Sequence, residues 1–308
     1  MKLFICIISL FCYLNLSAQL EKEVEIGPWL SGTLAMPQKS KNLYLLIIHP
    51  GSGPTDRNGN QANTQNNSLK FLSDSLVSKG YTCFRLDKRI IKMIKENAIN
   101  EKELLFDTLV QDLRQVVSYF HQNYNFSKII LVGHSEGSLI SMMASFDNLW
   151  VSAFISLCGP GRPADEVLSE QISISAPFIK DTSNVILAKL KKGIQVDTLM
   201  PLLKTIFRPS VQPYLISWMK YNPSHELSKL NIPILILNGD NDLQVDVKEA
   251  ELLRQSNPSA KKIVIEGMNH VLKICDRAKQ ANLATYSNPA LPVSSNLITS
   301  IDKFLKNL

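Results

Sequence analysis

Residues 128–140, Lys-Ile-Ile-Leu-Val-Gly-His-Ser-Glu-Gly-Ser-Leu-Ile, constrain this chain more than any other stretch. The β-branched run to Val132 reads as a short buried strand. It stops in Gly133-His134-Ser135-Glu136-Gly137, and a helix-compatible segment from Ser138 to Ser145 follows at once. So tight a reversal forces Ser135 into a strained backbone angle. It also leaves no space for side chains two positions either side, where the glycines stand. The turn lifts the Ser135 hydroxyl to the head of a helix, whose free N–H groups favour developing negative charge. A strand, then G-x-S-x-G, then a helix is the order needed to present a serine nucleophile.

The flanking chain keeps the same rhythm. Leu43–Ile48 is an unbroken apolar run, as expected of a strand covered on both faces, and it runs into a breaker-rich loop from His49 to Asn60. Helical periodicity over 69–78 precedes a strand at 81–86, and a longer helix is expected from Glu101 to about His121. Val151–Leu157 reads as the next strand, and Val24–Leu34 as an opening hairpin at a sheet edge. Strands and helices alternating at this pace imply parallel βαβ units. The rhythm breaks at Gly159-Pro160-Gly161-Arg162-Pro163. From there to about residue 222 only helical patterns occur, and strands resume at Ile232–Leu237 and Lys262–Ile265 before a closing helix. The expected fold class is α/β, a mostly parallel sheet flanked by helices with a helical lid inserted between strands.

Composition closes off several alternatives. Apolar content of 45% and charged content of 19% describe a globular chain. The net charge of +6 is spread thinly, with no basic run longer than two residues, so no nucleic-acid surface is expected. At the N-terminus, Lys2, the apolar run Leu3–Leu14 and the small pair Ser17-Ala18 form the pattern of a cleaved secretory signal. That run is too short to span a bilayer, so no membrane insertion is expected after cleavage. The organisation read from the sequence is a signal peptide at 1–19, a core at 20–160, a lid at 161–225 and a second core part at 226–308, with the mature chain periplasmic or extracellular. Cys83, Cys158 and Cys275, an odd trio scattered over almost two hundred residues, form no disulfide framework.

A serine hydroxyl needs a base, and the base needs an orienting group. The two strands after the lid each end in a suitable loop: Asn238-Gly239-Asp240-Asn241-Asp242, and Glu266-Gly267-Met268-Asn269-His270. We read Ser135, Asp242 and His270 as a triad, with His270 the general base. Asp240 and Asp246 compete for the acid position. Asp242 is preferred because Gly-x-x-Asp lets the chain turn off its strand before presenting a carboxylate. The oxyanion would be met by the backbone N–H of Glu136 and, from the earlier loop, that of Ser52, with Gly53 the alternative. No histidine pair has metal-ligand spacing, so no metal is expected. His134 is expected to point away from the nucleophile along its strand.

On these residues the chain resembles the α/β-hydrolase superfamily. More narrowly, it is similar to bacterial carboxylesterases and serine aminopeptidase-like hydrolases that carry the loop seen here as Gly51-Ser52-Gly53-Pro54-Thr55-Asp56-Arg57-Asn58-Gly59. Asp87-Lys88-Arg89, Gly159–Pro163 and Gly267–Lys273 match as well. Two positions depart from that pattern, Ile90 in place of glycine and Pro50 in place of the glycine of a His-Gly run. The resemblance implies a Ser-Asp-His esterase acting on a small ester or short acyl compound, without a cofactor. An aminopeptidase, which would need an acid such as Asp165 or Glu166 to hold a free amine, and a ligand-binding protein with negligible turnover are the alternatives. Asp56, Arg57, Asp87 and Arg89 are expected to brace the loop as an ion-pair network, or Arg57 to touch substrate.

Overall fold

The computed structural model describes residues 19–39, 43–197 and 200–308. The expected signal peptide lies outside these, save Gln19. The chain opens with β1 (Leu20–Ile26), β2 (Leu30–Met36), β3 (Tyr44–His49), α1 (Ser68–Ser78), β4 (Thr82–Asp87), α2 (Arg89–Lys95) and α3 (Phe106–Asn123). β5 (Lys128–His134), α4 (Glu136–Ser145) and β6 (Val151–Leu157) follow. Five helices come next: α5 (Ala164–Ser175), α6 (Lys180–Lys191), α7 (Lys204–Phe207), α8 (Gln212–Trp218) and α9 (Pro223–Ser228). The chain closes with β7 (Ile234–Gly239), α10 (Val247–Ser256), β8 (Lys261–Ile265), α11 (Lys279–Ala284) and α12 (Ser295–Leu305).

The strands form one sheet in the order β1-β2-β4-β3-β5-β6-β7-β8. β1, β2 and β4 pair antiparallel at one side, and the remaining pairs are parallel. Alternate residues of the central strands enter two separate cores. Leu45, Ile47, Ile129 and Leu131 face the layer of α3, α4 and α10, while Leu46, Ile48, Ile130 and Val132 face α1 and α12. Both faces are covered, which is why these strands read as continuous apolar runs rather than alternating ones.

The residues between β6 and β7 build a core of their own, in which Ile172, Leu187, Leu190, Phe207, Leu215 and Met219 pack together. The two ends of this insertion meet: the Gly161 carbonyl accepts from the Ser224 N–H (3.2 Å) and from its hydroxyl (2.6 Å).

The long helix expected from Glu101 is interrupted. A single 3₁₀ turn spans Glu101–Glu103, Leu105 is extended, and α3 starts at Phe106. Contacts from the insertion decide this. The Phe106 N–H donates to Ser217 Oγ of α8 at 2.8 Å, and Glu101 is drawn out to Arg208 and Ser210. The rings of Tyr214, Trp218 and Tyr221 then pack around Phe106. The sequence marks neither α2 nor α11 as a helix. No residue of α2 is fully buried, and the buried residue of the six in α11 is polar Asn282, so neither carries an apolar stripe.

Candidate active site

Ser135 links β5 to α4 with φ 56° and ψ −124°, in the left-handed region that an L-residue occupies only under constraint. Its N–H is held by the Leu157 carbonyl of β6 at 2.9 Å. The glycines on either side are steric necessities. A β-carbon at Gly133 would lie 2.2 Å from the Gly137 carbonyl oxygen. One at Gly137 would lie 2.5 Å from the Pro50 carbonyl oxygen, so this glycine also admits the loop after β3. The result is a half-buried serine at the C-terminal edge of the sheet.

His270 reaches the same edge from the loop after β8. Its Nδ1 lies 2.8 Å from Asp242 Oδ2, while the other Asp242 oxygen accepts the N–H groups of Gln244 (2.8 Å) and Val245 (2.9 Å). Both side chains are nearly sealed from solvent. A carboxylate so held fixes the imidazole tautomer, with Nδ1 protonated and Nε2 free to accept. The competing aspartates are engaged elsewhere. Asp240 accepts from the Gly267 N–H at 2.6 Å and pairs with Arg277 at 2.6 Å, bracing one loop against the other. Asp246 caps α10 through the Lys248 N–H at 2.9 Å.

Ser135 and His270 line one cavity of about 210 Å³, together with Gly51, Ser52, Thr55 and Tyr286. No acceptor among the described residues takes the N–H of Ser52 or of Glu136. The Ser52 carbonyl is tied down instead, by Thr55 Oγ1 at 2.7 Å and Gln61 Nε2 at 3.2 Å. His49 is buried beneath this loop and bonds the Pro50 carbonyl at 2.9 Å. Burial, with Lys88 nearby, lowers its pKa to about 3, so it is a neutral prop.

No family model matches the chain. Among curated proteins it is similar to esterase EstD of Thermotoga maritima, 23% identical over 262 residues, covering 82% of this chain. The chain spans 60% of that relative's length. Among solved structures, Est1E from Butyrivibrio proteoclasticus superimposes with a TM-score of 0.57 at 16% identity, covering 93% of this chain and 98% of that one. Dienelactone hydrolase from Anabaena variabilis gives 0.54 at 13% identity, covering 94% of this chain and 97% of the other. The fold is that of the α/β-hydrolases. Est1E has also been solved with ferulic acid bound.

Within this α/β-hydrolase fold several side chains hold the site that the sequence did not mark. His134 turns back rather than away: its Nε2 meets the His270 carbonyl at 2.8 Å, and the two rings lie 4.9 Å apart. Burial, aided by the neighbouring His270 ring, drops its pKa to about 3, so it is a neutral donor to that carbonyl. The Asn269 amide bonds Asn282 (3.1 Å) and Thr285 (2.6 Å), anchoring the His270 loop to the α11 region. Cys158, Asp242 and His270 place one metal-capable atom each within 4.8 Å of one another, a grouping drawn from three strand ends that no sequence spacing reveals.

The loop charges do not form one network. Arg57 is clamped by Asp87 (2.9 and 2.7 Å) and by Glu23, and bonds Thr33 and Ser31, so its guanidinium is spent on the protein. Asp56 caps its own loop through the Asn58 and Asn60 N–H groups, and Arg89 pairs with Asp112. Asp165 pairs with Lys191 at 2.8 Å, and Glu166 is exposed. His121 stacks on Trp150, and His225 is exposed on α9. A second cavity of about 650 Å³ opens beside the first, between α5 and the loop after β7. Its apolar wall includes Val167, Ile174, Leu243 and Leu283, and Gln244 and Tyr286 border both cavities.

Proposed function

We propose that the chain is an exported serine hydrolase that cleaves small carboxylic esters through an acyl-enzyme on Ser135. The observation that carries this is the His270–Asp242 pair at 2.8 Å, sharing a cavity with a serine on a strained strand-to-helix turn. In this reading His270 Nε2 takes the Ser135 proton as the hydroxyl attacks the ester carbonyl, and Asp242 steadies the imidazolium. The backbone N–H groups of Ser52 and Glu136 hold the oxyanion. The proton then passes to the leaving alkoxide, and His270 activates water to release the acid. The naming of EstD as an esterase supports the same class, as does ferulic acid in Est1E for a compact acyl group beside an apolar wall. Asp165 is paired with Lys191, and neither Asp165 nor Glu166 lines the two cavities described above, so neither of these acids favours an amine-holding peptidase site there.

Fluorophosphonate labelling of the folded protein tests this directly. Labelling and p-nitrophenyl ester turnover are expected in the wild type and absent in Ser135→Ala. A folded wild type that neither labels nor turns over any ester of the panel would leave only a binding protein. Export rests on the pattern of residues 1–19, and intact-mass measurement of the mature chain, expected to begin near Gln19 or Leu20, checks it. No helix among the described residues is long and apolar enough to cross a membrane.

A further inference from the structure

A buried lysine at the end of β4 has no part in the chemistry above. Lys88 is 2% exposed, and its Nζ donates to the Gly51 carbonyl. The carboxylate of Glu136, also buried, lies 3.7 Å from the same ammonium. Glu136 is in turn fixed from the insertion, where the Tyr214 hydroxyl of α8 donates to its Oε1 at 2.6 Å. Its other oxygen finds no hydrogen-bond partner among the described residues. Two opposite charges have thus been taken out of water for a geometry short of an ideal ion pair, which is a poor source of stability. Such an arrangement calls for another purpose, and the acceptor that Lys88 does reach supplies one.

A trans peptide places its C=O and N–H on opposite edges of one plane. Fixing the Gly51 carbonyl onto Lys88 therefore fixes the opposite edge, the Ser52 N–H, as well. Gly51 leaves that peptide close to the nucleophile: a β-carbon there would lie 3.1 Å from Ser135 Cβ. The next peptide is held independently, through the Ser52 carbonyl on Thr55 and Gln61. We infer that Lys88 is a positioning residue, whose ammonium sets the Gly51–Ser52 peptide so that the Ser52 N–H serves the oxyanion, while Glu136 and Tyr214 hold that ammonium and tie it to the helical insertion. The residue after the nucleophile thus acts twice, its N–H on the oxyanion and its carboxylate on the lysine that arranges the second donor. This rests on the esterase reading above.

The test is a comparison of Lys88→Met, Lys88→Met/Glu136→Gln and Tyr214→Phe with the wild type. Each is assayed for p-nitrophenyl butyrate turnover and for inhibition by an alkyl trifluoromethyl ketone, which binds serine hydrolases as an anionic tetrahedral adduct. The double variant removes the carboxylate that a lone Lys88→Met would leave buried and uncompensated, and circular dichroism with thermal melting shows that each protein is folded. For both Lys88 variants kcat is expected to fall about 10–100-fold with KM within about threefold, and ketone affinity to fall in parallel, because the loss is confined to the charged oxygen. Tyr214→Phe, which leaves the lysine in place, is expected to lose about 3–10-fold in both quantities. Folded Lys88 variants with wild-type kcat and ketone affinity would overturn the inference, as would a loss of turnover with ketone binding intact. Should both Lys88 variants fail to fold, an unchanged Tyr214→Phe would overturn it and a parallel loss in that variant would support it. Failure of the parent reading looks different: the wild type itself would neither label nor hydrolyse the ester.

Discussion

Asp240 and Asp242 stand two positions apart at the end of one strand and do unlike work. The first knits the β7 and β8 loops together; the second grips the imidazole. Asp242→Asn is expected to lower kcat by about 10⁴ while the protein stays folded, since the amide favours the wrong tautomer. Asp240→Asn is expected to keep kcat within about fivefold and to lower the melting temperature, through the weakened Gly267 and Arg277 bonds. A reversal of that pattern in steady-state and melting data would reassign the acid. The preference for Asp242 was open to sequence reasoning because a chain must leave its strand before it can present a side chain. The occupation of Asp240 was not, because its partners lie 27 and 37 residues away. His134 shows the limit more sharply. Nothing in its neighbours signals that the residue before Ser135 would hold the carbonyl of residue 270.

At the scale of elements, the turn from β5 into α4 tolerates no added bulk. Gly133→Ala sets a methyl against backbone, which cannot yield as a flexible side chain would. We expect this variant to lose more than about 3 kcal/mol in urea unfolding, or to be insoluble. Gly137→Ala collides with the loop after β3 instead, so its damage should fall on turnover as well as on stability. The strands of the sheet were readable because burial on both faces leaves a continuous apolar signature. The break before α3 was not, because its cause is a serine 111 residues further on that caps the helix from above. Local periodicity marks which segments are helical; tertiary hydrogen bonds choose where they begin.

For the molecule as a whole, two sealed histidines make acid the expected weakness. His49 and His134 are each held near a pKa of 3 against an ordinary 6.5, so the native state binds fewer protons than the unfolded one. Stability from this source is complete above pH 6.5 and drains away as pH falls toward 3, at up to about 1.4 kcal/mol per pH unit for each histidine. Urea midpoints between pH 7 and 4 should therefore show a steep acid limb, and His49→Gln should flatten it by roughly one histidine's share. An equally steep limb in that variant would assign the acid sensitivity to other groups.

The Gly161–Ser224 contact carries a broader consequence. Because entry and exit of the four-helix bud α5–α8 are pinned side by side, its length and contents are decoupled from strand order. A lineage could swap that bud wholesale, and so reshape the wall of the larger cavity, while Ser135, Asp242 and His270 below keep their spacing. Diversification in such a chain proceeds at the neck, one graft at a time.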